Sequence, residues 1–309
     1  MTTPPLLIHV GYHKTATTWM QRRLFTPPLG YHPIMEHETV FAHFVRPHMF
    51  EYDAAAARAA VAKALAEVPV GLTPVISSEI LCGNPTYGSR EALGIARRLH
   101  DAAPGARILV TIREQVAAIA STYMQYLQRG GEFSAQAFFA EAPEVGWPVF
   151  NHAHFRYDRF VAMYADLFGP DQVLVCNQEL LMRDHVGFAQ RIADFAGQPG
   201  PVNQAALNPE RTGVSYPEYG AGLLRFINNV RPGPAGPSAM PNLGSAGDLL
   251  YRAAGKLLRL DLVRSGFGNR KPVTDYVRKR YAGAFVDSNR ALAAMVQPGL
   301  PFERYQGLG

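Results

Sequence analysis

The chain has 309 residues, 48 % of them apolar and 18 % charged, with a formal net charge of +5. That composition can bury a sizeable core and excludes a disordered or collagen-like chain. The charge excess suits an anionic ligand, but it is too small, and too little interleaved with aromatics, to imply a nucleic-acid partner. Two cysteines, Cys82 and Cys176, lie far apart without metal-ligand spacing, as expected of buried thiols in a reducing compartment. The opening MTTPPLLIHV lacks the basic start and apolar run of a secretory signal. No stretch approaches the roughly 18 apolar residues of a membrane span. A cytoplasmic protein without a transmembrane segment is expected.

In chain order, Leu6–Val10 predicts a buried strand and Thr17–Phe25 the helix after it, stopped by Pro27 and Pro28. Residues 29–52 lack periodicity and read as loop with short helix. Ala54–Glu67 predicts an Ala-rich helix, Thr73–Ser78 a second strand, Ser89–Ala103 an amphipathic helix and Ala106–Ile112 a third strand. Glu114–Arg129 predicts a long helix closed by Gly130 and Gly131. Helix, strand and helix follow at Phe155–Phe168, Gln172–Cys176 and His185–Ala196. Short apolar strands alternating with helices predict an α/β fold with a parallel central sheet flanked by helices. Beyond Gly197 the strands stop. Helices are expected over 217–229, 249–260 and 273–296, and a flexible Pro/Gly-rich loop over 230–247. One domain is expected, with a core at 5–197 and a mostly helical extension at 198–309.

The stretch HVGYHKTATTW, His9 to Trp19, joins the first strand to its helix. In an open parallel sheet such a loop sits at the carboxyl edge, where ligands bind. Free N–H groups at a helix start attract anions. Lys14 adds a point charge, Thr15, Thr17 and Thr18 add hydroxyls, and Ala16 lets the backbone come close. The spacing is not that of the nucleotide-hydrolase loop G-x-x-x-x-G-K-[ST], because Lys14 follows Gly11 by three residues and there is no Gly-Lys-[Ser/Thr] step. Taken alone, the same residues also describe a Thr-capped polar turn without a ligand.

HKTATTW resembles the phosphosulfate-binding loop of the PAPS-dependent sulfotransferases. Lys14, Thr15, Thr17, Thr18 and Trp19 match, and Ala16 stands where Gly is usual. That family places an Arg at the end of a later strand and a Ser eight residues on, and ILVTIREQVAAIASTYMQYL supplies Arg113 and Ser121. A weaker similarity covers FVAMYADLFGPDQVLVCNQELLMRDHVGFAQRIADFAG, so the resemblance spans about residues 5–197. It implies a P-loop-like fold and 3′-phosphoadenosine 5′-phosphosulfate (PAPS) as donor, with adenosine 3′,5′-bisphosphate as product. It implies His13, Lys14, Thr15, Ala16, Thr17, Thr18 and Trp19 as the 5′-side binding residues, with Trp19 stacking on adenine. Arg113 and Ser121 would take the 3′-phosphate. Arg270 and Lys271, in NRKP, parallel a late basic segment of cytosolic relatives.

Sulfuryl transfer needs in-line positioning and charge stabilisation, so Lys14 is expected to stabilise the leaving phosphate. Protein cations would meet the donor's charge, and no metal is expected. His9 and His13 are four apart, but across a strand and a loop rather than on one helix face. An acceptor hydroxyl needs a base. Glu79, at the carboxyl end of the second strand, is the first candidate, and Glu36 and His37 are the alternatives. The acceptor would be a small metabolite, glycan or lipid. A P-loop-like nucleotide kinase and a non-catalytic nucleotide-binding module are the rival readings.

Overall fold

The computed structural model describes residues 4–141, 150–208, 210, 216–230 and 244–309. The first part of the chain forms β1 (Leu7–His9), then α1 (Thr17–Trp19), which continues as a π-helical turn over Met20–Leu24, β2 (Tyr31–Pro33), α2 (His37–Val40) and α3 (Ala54–Ala66). Next come β3 (Thr73–Ser77), α4 (Ala92–Ala102), β4 (Arg107–Ile112), α5 (Gln115–Gln128), α6 (Ala135–Phe138), α7 (Tyr157–Phe168), β5 (Val173–Asn177), α8 (Gln178–Arg183) and α9 (His185–Ala196). Helices α10 (Ala221–Asn228), α11 (Ser245–Leu257), α12 (Asp261–Phe267), α13 (Pro272–Arg280) and α14 (Val286–Met295) complete it.

The strands form one parallel sheet in the order β2-β3-β1-β4-β5. Because side chains alternate across a strand, Ile8, Ile108, Val110 and Ile112 enter one apolar cluster. Leu7, Leu109, Leu174 and Cys176 enter a second cluster on the other face. Burial on both faces is what makes these strands read as unbroken apolar runs. The C-terminal helices add Leu224, Tyr251, Val277 and Leu292 to the first cluster, so they pack on the same core as the sheet.

The structure corrects several expectations. Residues 31–33, expected as loop, form the edge strand β2, paired with β3 through Tyr31↔Thr73 and Pro33↔Val75. An edge tolerates Pro33 because no second neighbour needs its missing N–H. The single helix expected over 273–296 is two helices, parted at Tyr281–Phe285, where Gly283 takes φ 77°. α6, α8 and α12 had no counterpart among the expected helices. Of the expected flexible loop, residues 231–243 lie outside the described residues, and Ser245–Gly247 already belong to α11. Among the described residues no helix is long and apolar enough to cross a membrane.

Candidate active site

Parallel pairing brings the ends of β1, β3 and β4 to one edge. The β1–α1 loop extends the ladder past the strands: Tyr12 N–H donates to the Thr111 carbonyl at 2.6 Å and Thr111 N–H to the Gly11 carbonyl at 2.7 Å. Gly11 has φ 88°, and a Cβ there would stand 3.0 Å from Cα of Glu79. Only glycine allows that approach between the loop and the end of β3. Lys14 and Ala16 are both left-handed, with φ 65° and 68°, which is uncommon outside glycine. Left-handed Ala16 followed by the right-handed start of α1 turns N–H groups toward one point, an anion-binding concavity.

A buried hydrogen-bond chain fixes this loop, and its directions follow from counting protons. Thr15 Oγ1 donates to the Tyr12 carbonyl at 2.6 Å, which uses its one proton. The 2.8 Å contact to Thr111 Oγ1 is therefore donated by Thr111. His9 Nε2, 2.9 Å away, must then donate to Thr111. Burial drives the His9 pKa down to about 3, so the ring is neutral and its Nδ1 accepts from Ser77 Oγ at 2.8 Å. The chain thus runs from β3 through β1 and β4 into the loop. Thr15 has no hydroxyl proton left to give a ligand.

The other threonines differ. Thr17 is buried and makes a long 3.4 Å bond to the same Tyr12 carbonyl, while Thr18 is exposed. Trp19 is buried in the second cluster beside Phe188, and its Nε1 donates to the Asn208 carbonyl at 2.9 Å.

Three cations gather here. Lys14 is half-buried. Burial lowers its pKa most, the charges of Arg113 and Arg129 lower it further, and Glu79 opposes them. Arg113 follows β4, donates to the Lys14 carbonyl at 3.4 Å, and has its own carbonyl held by the Tyr157 hydroxyl at 2.7 Å. Glu114 caps α5 by accepting from the N–H groups of Val116 and Ala117 at 2.8 and 2.9 Å, which sets the helix directly behind Arg113. Ser121 lies two turns along, half-buried, on the less buried stripe with Ala117 and Gln125. Arg129 leaves the far end of the helix, about 21 Å from its start. None of these three cations forms an ion pair among the described residues. The sequence reading passed over Arg129, because a basic residue closing a helix reads as an ordinary dipole partner.

On the opposite wall, Glu79 opens the short turn Glu79–Cys82, half-buried, with no carboxylate hydrogen bond among the described residues. His13 is buried, its Nε2 donating to the Gly83 carbonyl at 3.2 Å, and burial pushes its pKa down to about 4. His37 Nδ1 lies 3.1 Å from Ser78 Oγ, one residue from Glu79; both His37 and Glu36 are exposed. Arg270 and Lys271 are exposed, Arg270 lying 5.0 Å over the Phe267 ring. No hydrogen bond or ion pair among the described residues ties Arg270 or Lys271 to the loop. A cleft of about 540 Å³ opens at the amino-terminal edge, lined by Leu6, Arg58, Val61, Leu65 and Ala106, with Arg58 as its one charged residue. It lies at the wrong end of the strands for this chemistry.

The family described as the sulfotransferase family matches the chain over residues 5–201. No curated protein matches it. Among solved structures, a sulfotransferase from Alicyclobacillus acidocaldarius is 20 % identical, over 69 % of this chain and 87 % of that one, with a TM-score of 0.48. The mouse sulfotransferase SULT7A1, crystallised with PAP, is 12 % identical over 91 % of this chain and 89 % of that one, with a TM-score of 0.37.

Proposed function

The chain belongs to the sulfotransferase family, and from that premise we propose that it moves a sulfuryl group from PAPS to a hydroxyl of a small metabolite, glycan or lipid. The observation that carries this reading is the gathering of Lys14, Arg113 and Arg129 around the left-handed Lys14–Ala16 turn, with Glu79 across from them. Three cations that form no ion pair among the described residues fit a ligand with phosphates at two positions. PAPS, when bound, supplies a sulfuryl group on a phosphate leaving group.

The chain's own groups have distinct tasks. Backbone N–H groups of the loop and the Thr17 and Thr18 hydroxyls hold the 5′-phosphate. Thr15 serves through its N–H alone, since its hydroxyl proton is committed to Tyr12. The Lys14 ammonium meets the negative charge that grows on the leaving phosphate. The Arg113 fork and Ser121 Oγ hold the 3′-phosphate. Trp19 anchors α1 from the core, its ring packed beside Phe188 and its Nε1 held by the Asn208 carbonyl. Glu79 takes the acceptor's proton, with His37 as the nearest substitute. We read residues 1–309 as one unit, and the two buried, unpaired cysteines suit a cytoplasmic setting.

The test is calorimetric titration with adenosine 3′,5′-bisphosphate, adenosine 5′-phosphate and ATP, followed by an acceptor screen with radiolabelled PAPS. The bisphosphate should bind tightest and label should move to a hydroxyl acceptor. ATP binding as tightly, with phosphate transferred instead, would favour the kinase reading. Binding without transfer to any acceptor would favour a non-catalytic module.

A further inference from the structure

The charge of this chain is unevenly placed. Residues 244–280 hold nine Lys or Arg and three Asp or Glu, a larger excess than the +5 of the whole chain, so the remainder is slightly acidic. The same segment holds much of the exposed apolar surface. Leu249 is 69 % exposed, and Leu250, Leu257, Leu260 and Phe267 are each close to half exposed; Phe226 of the neighbouring α10 is 63 % exposed. Isolated exposed leucines need no explanation, but a cluster on adjoining helices does.

The helical period sorts α11 and the turn continuing it into three sectors, at about 100° per residue. Gly247, Tyr251, Ala254, Gly255 and Leu258 face inward and are buried. Beside them Leu249, Leu250, Ala253, Leu257 and Leu260 form an apolar strip that no described residue covers. Asp248, Arg252, Lys256 and Arg259 fill the rest, three cations to one carboxylate. α10 packs against α11 and adds Leu223 and Phe226, three apart on one face. α12 adds exposed Arg264 and Phe267.

We propose that the outer face of α10–α12 docks on an anionic lipid bilayer, its leucines and Phe226 entering the headgroup boundary and Arg252, Lys256 and Arg264 meeting lipid phosphates. A basic helix with leucine and phenylalanine beside the charge is the pattern of an interfacial helix. A nucleic-acid surface would interleave its cations with aromatics for base stacking rather than with leucines. A second copy on this face would bring together two surfaces that carry the same excess of cations. The docking places the protein at a membrane surface, and it does not depend on sulfuryl chemistry.

The test is co-sedimentation of the full chain with vesicles of phosphatidylcholine alone or mixed with phosphatidylglycerol, with no nucleotide present. The mixed vesicles should pellet the protein, and added salt should release it. Arg252→Gln with Lys256→Gln should weaken binding about twentyfold, and Leu250→Ser with Leu257→Ser about tenfold. Unfolding midpoints check that both pairs fold. Should the serine pair fail to fold, the glutamine pair carries the test, since it leaves the apolar surface intact. Absence of pelleting, equal pelleting by phosphatidylcholine alone, or unchanged binding in the variants overturns the proposal. So does a concentration-dependent dimer lost in the serine pair, which assigns the face to a second copy. RNA binding lost in the glutamine pair, without vesicle binding, also overturns it.

Discussion

The β1–α1 loop and the α10–α12 layer handle polar groups in opposite ways. From Ser77 through His9 and Thr111 to Thr15, every hydroxyl and ring nitrogen has an assigned partner, and the two threonine hydroxyls have two each. In α10–α12, cations and leucines face solvent together. An unpartnered polar atom inside the loop would cost about 1–3 kcal/mol, so geometry there is held by stability itself. An exposed arginine costs almost nothing to leave unpaired, so the outer layer can change its surface without changing its fold. Substitutions in the loop's hydrogen-bond chain should therefore move chemistry, ligand binding and stability, whereas those at exposed positions of the outer layer should leave all three nearly unchanged.

The largest effect is expected at Glu79, which faces the loop but is not bonded into it. Glu79→Gln should lower turnover by about 10²–10⁴-fold while leaving bisphosphate affinity nearly intact. A variant with full turnover would pass the role to His37, which His37→Ala would then reveal. Loss of folding would mean that the carboxylate supports the loop.

Lys14→Ala should cut turnover about 10²–10³-fold, more than it weakens bisphosphate binding, because leaving-group charge grows in the transition state. Burial and two neighbouring arginines lower the Lys14 pKa. The alkaline loss of kcat/KM should accordingly begin below the ordinary lysine value of about 10.4. Normal turnover at saturating PAPS would reduce the loop to a binding cradle. Arg113→Ala should raise the bisphosphate Kd about 10–100-fold, the worth of a charge-assisted contact, with little change for adenosine 5′-phosphate. Equal losses for both ligands would remove Arg113 from the 3′-phosphate.

The two regions should also part in acid. His9 and His154 are held neutral by burial, with pKa values near 3, and His13 near 4. No histidine follows His185, so the C-terminal helices have none. A folded pKa below the unfolded value of about 6.5 means that the unfolded chain takes up protons first. Stability is then intact above that value and is lost as pH falls from about 6.5 toward 4, by about 2 kcal/mol for each histidine at pH 5. Urea midpoints measured from pH 7 to pH 5 check this. A flat profile would mean that the histidines are hydrated and that the hydrogen-bond chain does not exist as described.

The sequence disclosed what local pattern controls. Four strands of the sheet, the long helix behind Arg113 and the loop from β1 to α1 all stand where periodicity and spacing put them. It concealed what depends on register. That His9 would lie beside both Ser77 and Thr111 follows from which strands neighbour β1, and no spacing shows it. β2 escaped because three residues with a histidine and a proline carry no strand pattern. The exposed leucines of α11 read as an amphipathic helix either way, since a sequence does not say how much of an apolar strip the core will cover.

The smallest effect sharpens the comparison most, because it probes strain rather than contact. Ala16 holds φ 68° where the family's loop usually has glycine. A left-handed non-glycine residue costs about 1–2 kcal/mol. Glycine removes that cost, but its freer unfolded chain returns about 0.5–1 kcal/mol. The Ala16 methyl also packs partly against the second apolar cluster, and losing it costs a fraction of the roughly 0.8 kcal/mol of a buried CH₂ group. These terms nearly cancel, so Ala16→Gly should shift the unfolding midpoint by only about 1–2 °C in either direction. Bisphosphate affinity should hold or rise, since the N–H groups reach the same concavity with less strain. A marked loss of affinity at unchanged stability would show that the methyl group itself, by stiffening the turn, keeps the loop poised for phosphate.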